Sequence, residues 1–337
     1  MARPLSDQEL LPLADVLAAG EWCSGEALAA AAGISRAALA KRIAHLRAWG
    51  LDVETKAGLG YRLQNPLSRL DANKIRTSLA ENSKKNLRKL DVELRTDSTN
   101  QRLLEASFAD DPQMLFAEMQ SAGRGRRGRV WRSPFGANLY GSLAWSFASW
   151  PPQLGTLPLA VGVACARAMR MLGVLDVRLK WPNDLRVGTA KLGGILIEHR
   201  GEAGGPCRVV IGIGLNISMT QQQAGTLDQA WTSLAQCCEV AGIATPARNH
   251  VASVLVDALI AALLEFEIGG FSTFLEDWEA LDAAAGQAVR VTIGAADAIE
   301  GIARGIDADG ALIVEHAGQK HHLHAGEVSL RITGSAP

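Results

Sequence analysis

Between Glu118 and Asp176 the sequence contains no acidic residue. Into that gap fall Gly123-Arg124-Gly125-Arg126-Arg127-Gly128-Arg129 and then Arg132, so five arginines stand without a nearby carboxylate. Glycines in such a loop let backbone N–H groups approach a ligand closely, and the uncompensated charge calls for an anion. Other absences narrow the class of protein. No apolar run is long enough to span a bilayer, and the N-terminus lacks a basic-then-apolar signal pattern, which together predict a cytoplasmic protein without a membrane partner. The five cysteines (Cys23, Cys165, Cys207, Cys237, Cys238) form no C-x-x-C pair and read as free thiols. With a net charge of -1, any nucleic-acid contact must come from a local patch.

The arginine loop fits the letters G-x-G-x-x-G, which tests a dinucleotide-binding reading. That fingerprint needs a helix after the loop and an acid about 20 residues on. A strand at 115–119 is available, but Pro134 and Gly136 interrupt any helix and the acid is missing. No G-x-x-x-x-G-K-S/T occurs either, which excludes a Walker A loop. Taken alone, the loop leaves a solvated basic segment and a nucleic-acid patch as alternatives to a phosphate site.

At 337 residues the chain is long enough for two or three domains, and three segments differ in pattern. Residues 1–64 read as a winged helix-turn-helix. Ser24-Gly25-Glu26 opens a helix at 27–32 that Gly33 ends, and Ser35 caps a second helix at 36–49 closed by Gly50. Two short extended runs around Gly58 and Gly60 make a wing. Leu39, Ile43 and Leu46 share the core face at 3, 4 and 7 spacing, which turns Ala37, Ala40, Lys41 and Ala44 outward. Six bases against two acids over 36–62 suit phosphate contacts, and Arg36, Lys41, Arg42 and Arg47 are the DNA-binding candidates. The alanines offer few donors to base edges, and a helical domain that binds protein or regulates its neighbour stays open.

Pro66 and the polar, basic stretch 82–89 read as a junction, and an α/β domain of catalytic size covers 65–285. Strands are expected at 138–147 and 208–217, helices at 157–172 and 250–268. From 286 to 337, five short runs punctuated by Gly294, Gly310 and Gly318 predict a small β-barrel. His316, His321, His322 and His324 fit no zinc spacing and read as a solvated edge strand.

Further motifs accompany the arginine loop: Asp97-Ser98-Thr99-Asn100, Ser133-Pro134-Phe135-Gly136-Ala137-Asn138-Leu139-Tyr140, Lys180-Trp181-Pro182-Asn183-Asp184, Lys191-Leu192-Gly193-Gly194-Ile195-Leu196-Ile197-Glu198 and Gly212-Ile213-Gly214-Leu215-Asn216-Ile217. In order, spacing and letters this constellation closely resembles the biotin–protein ligases. Residues 24–62 resemble the winged helix of members that also repress the biotin operon. Gly305-Ile306-Asp307, Gly310-Ala311-Leu312 and Gly326-Glu327-Val328-Ser329-Leu330-Arg331 match their C-terminal SH3-like domain. The resemblance covers nearly the whole chain and implies a class II synthetase-like mixed sheet in its centre.

The activity this implies uses biotin, ATP and Mg2+ to form biotinyl-5′-adenylate. Biotin then passes to one lysine on the biotin carboxyl carrier domain of acetyl-CoA carboxylase. The resemblance assigns Lys191 to the biotin carboxyl and the adenylate bridging oxygen, with Arg124, Gly125 and Arg126 forming a loop that orders over the adenylate. Two anions must meet in such a reaction, and arginine forks match carboxylate and phosphate oxygens in pairs. Arg129, Lys180, Asn183 and Asp184 serve ATP, with Asp184 toward Mg2+, Trp131 packs near the adenine, and Asn216 contacts it. Ser98, Thr99 and Gln120 serve the biotin ureido ring, whose one acceptor and two donors suit hydroxyls and an amide, and Asn100 also belongs to the biotin site. Trp231 and the glycines Gly193 and Gly194 line the biotin pocket. Without the motif, Lys191 reads as a surface lysine and Ser98-Thr99-Asn100 as an ordinary capping turn. The bifunctional relatives' pattern further implies a homodimer when adenylate is bound, acting on operator DNA. A ligase whose winged helix reads no operator, a ligand sensor without ligase activity, and a lipoate ligase are the competing readings.

Overall fold

The computed structural model describes residues 6–64, 66–201, 205–227, 229–293, 297–325 and 328–333. The N-terminal unit comprises α1 (Asp7–Leu17), α2 (Gly25–Ala31), α3 (Arg36–Ala48) and a hairpin of β1 (Val53–Lys56) and β2 (Gly60–Leu63). The Ser35 hydroxyl accepts the Ala38 N–H and starts α3, as its sequence position predicts. Leu39, Ile43 and Leu46 then pack on Leu10, Leu13 and Leu17 of α1. Gly60 has φ +101°, and a side chain there would strike the Cys23 carbonyl, so this position of the wing accepts only glycine.

The stretch 82–89, expected as a junction, is folded. It forms most of α5 (Glu81–Asn86) and the first residue of β3 (Lys89–Thr96), with Ser83 and Leu87 buried and the Asp257 carboxylate accepting the Ala80 N–H. Polar composition misled here because a six-residue helix needs only one buried edge.

The central layer is a seven-stranded sheet in the order β3-β4-β5-β9-β8-β7-β6, built from β3, β4 (Gln113–Gln120), β5 (Leu139–Phe147), β6 (Val177–Lys180), β7 (Asp184–Val187), β8 (Ala190–Gly201) and β9 (Cys207–Leu215). β3 and β4 run parallel and the other neighbours antiparallel, which gives the mixed sheet. The helices of this unit, after α5, are α6 (Thr99–Glu105), α7 (Leu157–Met171), α8 (Gln221–Ala224), α9 (Leu234–Ala241), α10 (Arg248–Gly269) and α11 (Leu275–Leu281), and α4 (Ala72–Ser78) precedes them. Strand parity sorts the sheet into two faces. Val209, Ile211, Ile213 and Leu215 join the main core with α7 and α10, whereas Val210 packs under Leu103 and Leu104 of α6. Gly212 and Gly214 share the parity of Val210, and that second face carries the site. Among the described residues no helix is long and apolar enough to cross a membrane.

The C-terminal strands β10 (Ala288–Ile293), β11 (Asp297–Ile306), β12 (Leu312–His316), β13 (Gln319–Leu323) and β14 (Val328–Ile332) form one antiparallel sheet, ordered β13-β12-β11-β10-β14. All five expected strands are present, but no ladder closes the barrel between β13 and β14 among the described residues. β13 is an edge strand. His322 Nδ1 lies 2.7 Å from the Asp307 carboxylate and His316 Nδ1 2.6 Å from the Glu300 carbonyl. Gly294, Gly326 and Glu327 lie outside the described residues. This unit is tied to the central one by the Trp181 indole, which donates to the Gly310 carbonyl at 3.0 Å.

Candidate active site

The second face of the sheet encloses a cavity of about 150 Å³, lined by the start of α6, the end of β4, the arginine loop, the β6–β7 turn, β8 and β9. Its floor is glycine. A side chain at Gly212 would collide with Asn100, and one at Gly214 with the indole of Trp131. The floor therefore admits a flat group close to the backbone, as the notched sequence Gly212-Ile213-Gly214 requires.

At one end stand neutral hydrogen-bonding groups. Thr99 donates to Gln120 Oε1 from its backbone N–H at 2.9 Å and from its hydroxyl at 3.2 Å. Gln120 Nε2 donates to Ser133 at 3.3 Å. Ser98 caps α6 by accepting the Gln101 N–H, so its hydroxyl does both the capping and the lining. Asn100 is fixed by Ser142 Oγ, 2.6 Å from Oδ1, and by Glu198, which accepts from Nδ2 at 2.8 Å.

The other end is cationic. Arg124, Arg126, Arg127, Arg129, Lys180 and Lys191 line the cavity against a single carboxylate among the described residues, Asp184. Lys191 Nζ lies 2.7 Å from Asp184 Oδ1 and 5.4 Å from the centre of the Trp131 ring. Arg124 is drawn to Glu198 at 3.4 Å and to Gln101 at 3.2 Å. Arg126 donates to Asn183 at 3.3 Å and to the Ala325 carbonyl of the C-terminal sheet. Burial pushes the Lys180 ammonium down to about 8, with Asp184 working the other way and Arg186, Lys191 and Arg129 adding to the depression. Burial also lowers the Arg126 guanidinium, again opposed by Asp184. Crowded like charges at low dielectric favour an anion between them.

Residues singled out from sequence thus meet on one cavity, among them Ser98, Thr99, Asn100, Gln120, Arg124, Gly125, Arg126, Arg129, Lys180, Asp184 and Lys191. Asn183 and Trp131 line it too, and the buried indole N–H of Trp131 has no partner among the described residues. Three others stand behind the wall. Gly193 is packed against the Gly214 carbonyl at 2.8 Å, measured from where a Cβ would sit, and its neighbour Gly194 faces the cavity instead. Trp231 packs with Ala137, Met219 and Ala224. Asn216 donates to the Lys191 and Thr232 carbonyls at 3.4 and 3.1 Å, so its amide fixes the backbone that carries Lys191.

Glu198, Ser142 and Ser133 were missed as site residues. For Glu198 the signal was there: it shares strand parity with Gly194 and Leu196, both of which line the cavity.

On the winged helix, Arg36 and Lys41 are exposed, as are Ala37, Ala40 and Ala44. Arg42 instead lies 3.9 Å from Glu9 of α1, and Arg47 donates to the Val53 carbonyl at 2.8 Å and to Thr55 at 2.7 Å. Both of these candidates are engaged within their own domain. That domain docks on the segment after the arginine loop: Trp49 stacks on Phe135 at 5.1 Å, and the Trp49 carbonyl accepts the Phe135 N–H.

The Biotin/lipoate A/B protein ligase family matches residues 92–216, the biotin protein ligase C-terminal domain residues 285–331, and an HTH domain residues 15–62. The Bifunctional ligase/repressor BirA of Salmonella typhimurium is 43% identical over 322 residues, 95% of this chain and 97% of that protein. The biotin–[acetyl-CoA-carboxylase] ligase of Mycobacterium tuberculosis is 36% identical over 72% of this chain and 88% of that one. The biotin protein ligase of Aquifex aeolicus, solved with biotin and ATP, superposes with a TM-score of 0.60 at 26% identity, covering 73% of this chain and 99% of that chain. A two-ended cavity on a mixed sheet, an HTH unit ahead of it and an SH3-like sheet behind it lead to one conclusion: this chain belongs to the biotin protein ligases, in the bifunctional form that carries a DNA-binding domain.

Proposed function

We propose that the protein joins biotin to ATP and passes the biotinyl group to a lysine of the biotin carboxyl carrier domain of acetyl-CoA carboxylase. The observation that carries this reading is the polarity of the cavity. Its neutral end (Ser98, Thr99, Gln120) has the donors and acceptor a ureido ring needs, and its cationic end (Lys191, Arg124, Arg126) receives a carboxylate.

In the first step a biotin carboxylate oxygen attacks the α-phosphorus of ATP. The α–β bridging P–O bond breaks, and pyrophosphate leaves with the electron pair. Lys191 holds the attacking oxygen and then the bridging oxygen of the mixed anhydride, while Arg129 and Lys180 take charge from the phosphates. Biotin's carboxylate displaces Asp184 as the partner of Lys191. Asp184, the one carboxylate among the described residues of the cavity wall, supplies the hard oxygen donor that Mg2+ needs, with few protein ligands required. That ion, when bound, neutralises phosphate charge. Arg124 and Arg126 close the loop over the adenylate and keep water from the anhydride. In the second step the carrier lysine, as a neutral amine, attacks the biotinyl carbonyl carbon and AMP leaves with the C–O bonding pair. No nucleophile from this chain is needed.

The adenylate-bound form pairs as a homodimer, and the two winged helices then face two operator half-sites with Arg36 and Lys41 toward phosphate. Incubation of the protein with MgATP, biotin and a carrier domain tests the catalytic reading by mass spectrometry. A biotinyl mass gain on one carrier lysine, requiring both substrates, supports it. No adenylate and no gain would sink it. Sedimentation and DNA footprinting with and without adenylate test the dimer and the operator.

A further inference from the structure

Arg186 was not among the residues the sequence singled out, and it lies just beyond the cavity wall on β7. Strand parity places it on the face that carries Asp184, two residues earlier, with Leu185 turned into the core between them. On the neighbouring strand Lys180 pairs in register with Asp184, and Arg178 with Arg186. This two-stranded face therefore presents Lys180, Arg186 and Arg178 around one carboxylate.

The cations on it differ in how they are satisfied. Arg178 donates to the Ala280 carbonyl at 2.6 Å, and Lys191 takes Asp184 at 2.7 Å. Neither Arg186 nor Lys180 makes a side-chain hydrogen bond or ion pair with any described residue, although both are partly buried. A half-buried guanidinium with five donors and no protein acceptor is costly unless an anionic ligand uses it.

We propose that Arg186, together with Lys180, forms the subsite for the β- and γ-phosphates of ATP and for the departing pyrophosphate. This rests on the ligase reading above and adds a residue to it. The α-phosphorus must sit near Lys191 for the biotin carboxylate to reach it, so the two outer phosphates extend along the hairpin toward Lys180 and Arg186. When the α–β bond breaks, both contacts leave with pyrophosphate, and the adenylate touches neither.

That difference supplies the test. In Arg186→Met the KM for ATP and the dissociation constant for inorganic pyrophosphate should rise about 5–20-fold, with Arg186→Lys between it and wild type. The KM for biotin and the rate of transfer from preformed biotinyl-5′-adenylate to the carrier should stay unchanged. Unaltered ATP and pyrophosphate affinities in a folded Arg186→Met protein would overturn the assignment. Slowed transfer from preformed adenylate would overturn it too, since it would place Arg186 at the carrier. Pyrophosphate binding is read by calorimetry, apart from turnover. A wild-type protein that makes no adenylate would therefore refute the ligase reading, whereas equal pyrophosphate affinity in wild type and variant would refute the role of Arg186 alone.

Discussion

Two regions of this chain are rich in base, and they hold it differently. Around the cavity six cations face one carboxylate among the described residues, and burial has lowered the affinity of Lys180 and Arg126 for their protons. On α3 and the wing the bases are spread over solvent. Arg36 sits 3.7 Å from Glu26 with both side chains largely exposed, and Arg47 is spent on the wing's own carbonyl. Charge in the first region converges on one cavity, where Arg126, Lys180 and Lys191 are partly buried while Arg124, Arg127 and Arg129 are exposed, so the partly buried cations act at short range on one ligand. In the second it is screened, and it acts as a sum over many weak contacts. A count of lysines and arginines does not separate these cases; burial and the partner of each cation do.

If that contrast is right, the largest effect of any single change should come from Lys191. Replacing it with alanine removes the charge that meets the biotin carboxyl, and adenylate formation should fall by at least roughly 1000-fold. Pyrophosphate release assays read this directly. A rate near wild type would remove Lys191 from the mechanism and leave its pair with Asp184 as a structural contact.

Arg126→Gly comes next. The side chain links the loop to Asn183 and to Ala325, so its loss should open the loop more than it harms binding of biotin itself. Adenylate should then escape on the order of 10–100-fold faster and label lysines on unrelated proteins. Labelling confined to the carrier domain would mean that the loop closes without Arg126.

The screened region should answer with smaller, salt-dependent changes. Lys41→Ala is expected to weaken DNA binding several-fold at low salt and to reduce the slope of log affinity against log salt by about 1. Arg47→Ala should leave that slope intact and lower thermal stability instead, because it frees the Val53 carbonyl and Thr55. If Arg47→Ala flattens the slope as much as Lys41→Ala does, the wing contacts seen in the free protein are exchanged for phosphate when DNA binds.

Much of this architecture is legible in the residues. Ser35 as a cap, the 3-4-7 spacing of Leu39, Ile43 and Leu46, and the paired glycines of the wing are local signals, and local signals survive folding. The glycines at 212 and 214 and the run Gly123–Arg129 mark the cavity in the same way. What stayed hidden depends on distant partners. Glu198 reaches Asn100 across 98 residues of sequence, and Trp49 finds Phe135 on another domain. Arg42 and Arg47 look outward by helix period, yet a glutamate on α1 and a carbonyl of the wing draw them in. Arg186 carries no motif, and only the register of β6 with β7 brings it beside Lys180 and Asp184.

A third kind of buried charge sharpens the contrast. Asp282, where α11 leads into the C-terminal sheet, has one carboxylate oxygen that accepts the Ala284 N–H at 2.8 Å and one that is buried without a partner. No cation among the described residues offsets it, and burial raises its pKa to about 6. An acid whose folded pKa exceeds its unfolded value near 3.8 costs stability once ionised. That cost is fully present above pH 6, shrinks between pH 6 and 4, and is gone in more acidic solution, where the group is protonated in both states. Asp282→Asn keeps an oxygen for Ala284 and removes the charge. It should therefore stabilise the protein by about 1–3 kcal/mol at pH 7.5 and by almost nothing at pH 4. Thermal melts of both proteins across that range measure the difference, in which the other titrating groups cancel. A gain that is the same at every pH would assign the effect to packing, and Asp282 would then not belong with the charged groups at all.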